Sequence, residues 1–163
     1  MTAQPFLTPD DLACFIRERG IAAELLPMPV ETPTVPAAAG ALGVQPAQIV
    51  KSLLFLVRDA PVLVIACGDT PVNRRALADR LGVGKKQIKL ADAETVLAYT
   101  GYAVGGVPPF GHRNAAPVLL DQAVRAWNAI YGGGGDDRTL LRITPDELAR
   151  VTAAEWIDLD VVP

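Results

Sequence analysis

Histidine, cysteine and aromatic side chains are all scarce in this 163-residue chain, and each shortage removes a class of function. A single histidine, His112, cannot build a histidine-rich metal centre. Cys14 and Cys67 lie far apart with no CxxC spacing, which argues against a disulfide framework or a zinc site and favours reduced, buried thiols in a cytoplasmic protein. No apolar stretch reaches the roughly 20 residues needed to cross a bilayer, so no membrane partner is expected. Met1–Arg19 carries Asp10 and Asp11 and no basic segment ahead of its apolar residues, unlike a signal peptide. Nucleophile elbows, P-loops and recognisable Cys–His pairings are also missing.

What remains is the composition of a single globular domain over residues 1–163, with 50% hydrophobic and 20% charged residues. The net charge of −3 opposes indiscriminate nucleic-acid binding, but the charges are unevenly spread. Arg74, Arg75, Arg80, Lys85, Lys86 and Lys89 fall within one short segment against Asp79 alone, while residues 146–160 are acidic. A basic face on an acidic protein suits a phosphate-bearing partner; a solvated helix face accounts for the same charges equally well.

Hydrophobic periodicity predicts a helix over Thr8–Arg19, a strand over Ile21–Leu26 and an extended, proline-rich connector over Pro27–Pro36. A short helix follows over Ala37–Leu42. Ile49–Val57 and Val62–Cys67 are apolar on both faces and read as a hairpin in the middle of a sheet. Asn73 and Asp92 are placed to cap helices ending near Leu81 and Tyr99, with a short strand, Gln87–Leu90, between them. Strands are expected at Pro117–Asp121, Trp127–Tyr131 and Thr139–Ile143, then a helix opened by Thr144-Pro145 and an edge strand within Trp156–Val162. Gly132–Gly135 reads as a flexible turn. The class is α+β, with a mixed, strongly curved or barrel-like sheet flanked by helices.

Four features could carry chemistry. Lys51 interrupts a doubly apolar strand, either lining a pocket or sitting at the strand entry with its ammonium in water. Thr100–Arg113 combines glycines with Pro108-Pro109, a loop both open and stiff, of the kind that builds pocket walls. His112 follows it, as a base, a ribose contact or simply a surface residue. Asp69 ends a strand, where an Asx-turn is the simpler role; Asp121 likewise reads as a cap.

Taken in order, Val50-Lys51-Ser52-Leu53, Cys67-Gly68-Asp69, Lys89-Leu90-Ala91-Asp92, Thr100-Gly101-Tyr102 with Gly105-Gly106-Val107-Pro108-Pro109-Phe110-Gly111, and Pro117–Asp121 resemble the YbaK/ProX family over about Val35 to Leu159. These are free-standing aminoacyl-tRNA deacylases related to the editing insertion of bacterial prolyl-tRNA synthetases. The resemblance implies hydrolysis of the ester of mischarged tRNA in trans, foremost Cys- or Ala-tRNA(Pro), without metal or cofactor. It implies that Lys51 grips the 3′-terminal phosphate or ester, and that Gly105, Gly106 and Pro109 bring backbone amides to the aminoacyl carbonyl. It further implies that backbone groups and the tRNA 2′-hydroxyl position the attacking water, or that the thiol of a cysteinyl substrate attacks. Leu53, Val107, Asp69 and His112 are then candidate substrate contacts, and Arg74, Arg75, Lys85 and Lys86 candidate contacts to tRNA phosphates. The implied partners are the tRNA acceptor end and a prolyl-tRNA synthetase, the protein itself being a monomer or homodimer. Many relatives have serine in place of Pro108 and glutamine in place of His112, which bears on amino-acid specificity. The alternative is a tRNA- or nucleotide-binding module without turnover.

Overall fold

A computed structural model of the chain describes residues 5–68 and 71–159. The first helix, α1 (Pro9–Glu18), starts on a capping box in which Thr8 Oγ1 accepts from Asp11 N–H and the Asp11 carboxylate accepts from Thr8 N–H. Next come β1 (Ala23–Pro27) and α2 (Val35–Leu42), the latter capped by Thr34 and closed by Gly43 in the left-handed region. The helix therefore begins two residues earlier than the prolines suggest, because Pro36 sits in its first turn, where a missing N–H is harmless. The preceding connector is not wholly superficial: Thr32 is buried and its N–H donates to Asp137 O at 2.6 Å.

β2 (Val50–Val57) and β3 (Ala60–Cys67) form the expected hairpin, turning through Arg58 and Asp59 with φ of 50° and 68°. Two consecutive positive φ values are what a two-residue hairpin loop needs to match strand twist. α3 (Arg74–Leu81), β4 (Ile88–Leu90) and α4 (Ala93–Thr100) follow, with Asn73 and Asp92 as the anticipated caps. The Asp92 carboxyl lies below its ordinary range because it accepts from Thr95 N–H. The chain ends with β5 (Val118–Asp121), β6 (Ile130–Gly133), β7 (Thr139–Ile143), α5 (Pro145–Thr152) and β8 (Glu155–Ile157).

The strands make two sheets, ordered β1-β7-β6 and β4-β2-β3-β5-β8, and the class is mixed α+β as expected. In the larger sheet β5 runs parallel to both β3 and β8, and the remaining pairs are antiparallel. A single bridge between Ile49 and Tyr131 joins the two sheets where β6 meets the start of β2. Among the described residues the curved wall stays open and does not close into a barrel.

Alternation along β3 explains why its sequence shows no polar face. Leu63 and Ile65 enter a core shared with Leu120, Ile130, Leu141 and Leu148, while Val62, Val64 and Ala66 pack on the other side with Leu77, Ile88 and Ile157. A third cluster, Val35, Ala38, Ala39, Ile49 and Leu140, lies beneath α2.

Asp121 is a buried cap, only 5% exposed. One carboxylate oxygen accepts from Ala123 N–H at 3.0 Å and the other from Cys67 N–H at 3.2 Å, tying β5 to the end of β3. Asp121→Asn keeps only one acceptor oxygen, so one of these N–H groups loses its partner. We expect about 2 kcal/mol of destabilisation and a Tm lower by about 4–8 °C, measured by thermal melting.

Two sequence expectations change. The strand expected at Trp127–Tyr131 starts at Ile130 and continues through Gly132 and Gly133, so half of the glycine run is strand. The closing strand is three residues, Glu155–Ile157, and the end of its expected range, like Asp69, lies outside the described residues.

Candidate functional site

A cavity of about 350 Å³ opens between α2, β2, the glycine half of β6 and the loop that follows α4. Its size falls in the range of small-molecule sites. Val35 and Ala38 of α2 and Leu140 of β7 line one side, Gly105 and Val107 of the loop another, and Val50–Leu54 cross between them. Five consecutive β2 residues can line one cavity because β4 pairs only with Phe55–Val57. The last rung is Ala91 N–H donating to Leu54 O at 2.9 Å. By antiparallel alternation Ser52 turns its main-chain groups to that same side, beyond the end of β4.

Lys51 is the one ionisable side chain among the described lining residues. It stands opposite Ala66 in the β2–β3 register and is half-buried. It lines the cavity and is the second residue of β2, so both of its sequence readings, pocket lining and strand entry, describe this position. The other described lining residues are apolar, glycine, proline or hydroxyl-bearing, surroundings in which charge interactions are strengthened.

The loop is held by close backbone approach. A Cβ on Gly133 would lie 2.3 Å from Val107 O, and one on Gly106 would lie 2.6 Å from Asp136 Cα and C. Gly135 N–H donates to Gly106 O at 2.9 Å. The glycines of both segments let two main chains touch, which is why the run at 132–135 is not a flexible turn. Gly105 adopts φ 102°, which favours glycine. Gly106 itself is buried and its N–H is engaged with Ala103 O at 3.2 Å. Gly105 and Val107, with Val104, are the loop residues that line the cavity. Pro109 lies behind the loop, against Gly132.

Of the other anticipated residues, Leu53 and Val107 line the cavity and His112 does not. The His112 ring lies edge-on to Tyr102, with Nε2 2.6 Å from Pro108 O, and burial holds its pKa below the ordinary value. Arg74, Arg75, Lys85 and Lys86 are exposed and outside the cavity. Lys85 and Lys86 nonetheless lead directly into β4, whose last residue, Leu90, is on the rim. Leu90 and Val104, 48% and 63% exposed, give that rim an apolar lip.

Sequence reasoning did not single out Val35, Ala38, Leu140 or the glycines of β6 as site residues. The usable signal was the glycine run. Four glycines beside a second glycine-rich loop indicate two backbones in contact as readily as a flexible turn.

The described residues contain no cluster of three or more potential metal ligands, and no helix long and apolar enough to cross a membrane. The sequence profile of the aminoacyl-tRNA editing domain matches residues 30–151. The uncharacterized protein YwhH of Bacillus subtilis is 30% identical over 128 residues, covering 77% of this chain and 80% of that protein. A proline–tRNA ligase of Pelotomaculum thermopropionicum is 31% identical over 133 residues, 79% of this chain but 23% of the ligase, so the chain spans about a quarter of that relative. Among solved structures, a protein proposed as a trans-editing enzyme for prolyl-tRNA synthetase superposes with a TM-score of 0.87 at 30% identity, over 99% of this chain and 100% of the other. With its loop, lysine and cavity in this frame, the chain belongs to the aminoacyl-tRNA editing domain family.

Proposed function

We propose that this protein hydrolyses, in trans, the ester linking a wrong amino acid to a tRNA 3′ end, with cysteinyl- and alanyl-tRNA(Pro) the foremost candidate substrates. The observation that carries the reading is that Lys51, the one ionisable residue among the described lining residues, shares the cavity with Gly105 and Val107 of the glycine-proline loop. Lys51 holds the 3′-terminal phosphate or the ester oxygen. Backbone of the loop faces the carbonyl, where charge develops as water adds. Water's oxygen forms the new bond to the carbonyl carbon, the carbon–oxygen bond to the ribose breaks, and a proton is delivered to the departing ribose oxygen. Among the described residues no carboxylate or histidine lines the cavity, and the proton passes through the neighbouring ribose hydroxyl and solvent. The apolar wall of Val35, Ala38 and Leu140 suits a small uncharged side chain.

The test is deacylation of tRNA(Pro) charged separately with alanine, cysteine and proline. Release of one wrong amino acid with proline spared is the expected result. Tight tRNA binding with no release from any substrate, here or on other tRNAs, would replace this reading with the binding module.

Lys85 and Lys86, next to the rim strand, are placed to meet tRNA phosphates, with Arg74 and Arg75 on the adjoining helix. The double variant Lys85→Ala/Lys86→Ala is expected to raise KM by about tenfold at low salt with kcat unchanged. The salt dependence of binding should become shallower by about one unit of log–log slope per lysine. An unaltered slope would remove both lysines from the interface.

A further inference from the structure

The loop between α4 and β5 is tied at its base and at its apex. Arg113 and Asn114 N–H donate to Thr100 and Tyr99 O at 2.8 and 3.1 Å, and Gly135 N–H holds Gly106 O. The stretch between these anchors contains Pro108 and Pro109, which have no N–H, so it has few main-chain donors with which to brace itself. One side chain reaches across it: His112 Nε2 lies 2.6 Å from Pro108 O. A carbonyl only accepts, so the hydrogen sits on Nε2 and Nδ1 is left as the acceptor. The ring is set edge-on against Tyr102 at 6.3 Å between centroids, and Tyr102 is 1% exposed. Phe110, one residue before Gly111, is stacked on Phe15 of α1 at 5.8 Å. His112 therefore joins the turn at Pro108 to a rigid hydrophobic floor.

We propose that His112 is a positioning residue, whose Nε2–H braces the Pro108 carbonyl and thereby sets how Gly105 and Val107 face the cavity. The two neutral rings suit this role. Burial holds His112 below its ordinary pKa, and burial together with the Asp11 charge pushes Tyr102 up to about 12. The kinetic consequence rests on the deacylase reading; the bracing itself does not.

Two variants separate the donor from the ring. His112→Phe keeps a ring against Tyr102 and removes the donor, whereas His112→Gln restores an N–H at similar reach. In His112→Phe, hydrogen exchange at the Gly106 and Gly135 amides, bonded to Ala103 O and Gly106 O, should rise by about tenfold or more. Deacylation kcat should fall by about 10–100-fold with KM little changed, as expected for about 1 Å of misplacement at reacting groups. His112→Gln should return both to within about threefold of wild type. A residue that merely fills space would give the opposite order, with phenylalanine tolerated and glutamine impaired. Wild-type exchange rates at Gly106 and Gly135 in folded His112→Phe would overturn the proposal. If that variant does not fold, nitrogen NMR of the wild-type imidazole decides: an exchange-protected Nε2–H is expected, and the Nδ1–H tautomer overturns it. A wild-type protein inactive on every aminoacyl-tRNA would remove the deacylase reading, while exchange and tautomer would still settle the bracing.

Discussion

Lys51→Ala is expected to lower deacylation by about 100–1000-fold while leaving Tm within about 2 °C of wild type. The large kinetic effect follows from the composition of the cavity: no other described lining residue is a cation that could supply the same positive charge. The small stability effect follows from the fold. Lys51 is half-buried on a strand held by its main-chain ladder to β3, and its partner across the register is the small Ala66. Lys51→Met separates charge from bulk, because it keeps most of the chain length and should be nearly as impaired as alanine. Lys51→Arg retains charge in a planar fork that does not reproduce a compact ammonium, so it should recover only part of the rate. Single-turnover deacylation measures all three, and a methionine variant at the wild-type rate would show that Lys51 acts through packing alone.

Gly133→Ala should be comparably damaging by a different route. The added methyl would lie 2.3 Å from Val107 O, 2.8 Å from Val107 C and 2.9 Å from Gly106 C. All three are main-chain atoms of the loop that walls the cavity, and no side-chain rotation relieves the clash. Restoring ordinary contact requires the loop to move by about 1 Å, which at a catalytic centre costs on the order of 100-fold in rate. Overpacking of this kind costs about 1–3 kcal/mol or more, so Tm should fall by about 4–10 °C. Gly40→Ala is the matched control. Gly40 lies within α2, where an added methyl would have nothing within 4 Å and φ is unremarkable. Alanine there should stabilise the helix by about 0.5–1 kcal/mol and leave activity intact. A Gly133→Ala protein with wild-type Tm and rate would mean that the loop does not need its close seat on β6.

The sequence was most legible where local chemistry decides structure. Asn73, Asp92 and Thr144 cap the helices they were expected to cap, since each cap is settled within four residues of chain. The β2–β3 hairpin was also readable, because strands buried on both faces leave a continuous apolar run. Lys51 was visible as a charge breaking such a run, though its surroundings were not. The cavity wall joins Val35, Ala38 and Leu140 with Gly105, and nothing local in those apolar and glycine residues distinguishes pocket from core. The glycines at 132–135 were misread for a related reason: what forbids a side chain at Gly133, Gly134 and Gly135 is the backbone of Val107, Thr139 and Pro9. His112 carried its own ambiguity, since only the fold shows that the acceptor it reaches is a carbonyl four residues back.

Gly105 and Val107 of the loop line one part of the cavity, and Val35 and Ala38 of α2 line another. These two surfaces are under separate constraint. Substituting Val35 or Ala38 would reshape the cavity while leaving the loop sequence as it is, whereas Gly133 of the loop seat admits almost no exchange. On the deacylase reading, a lineage carrying this scaffold would change which building block it rejects through one or two substitutions on a short helix, inheriting the loop unaltered.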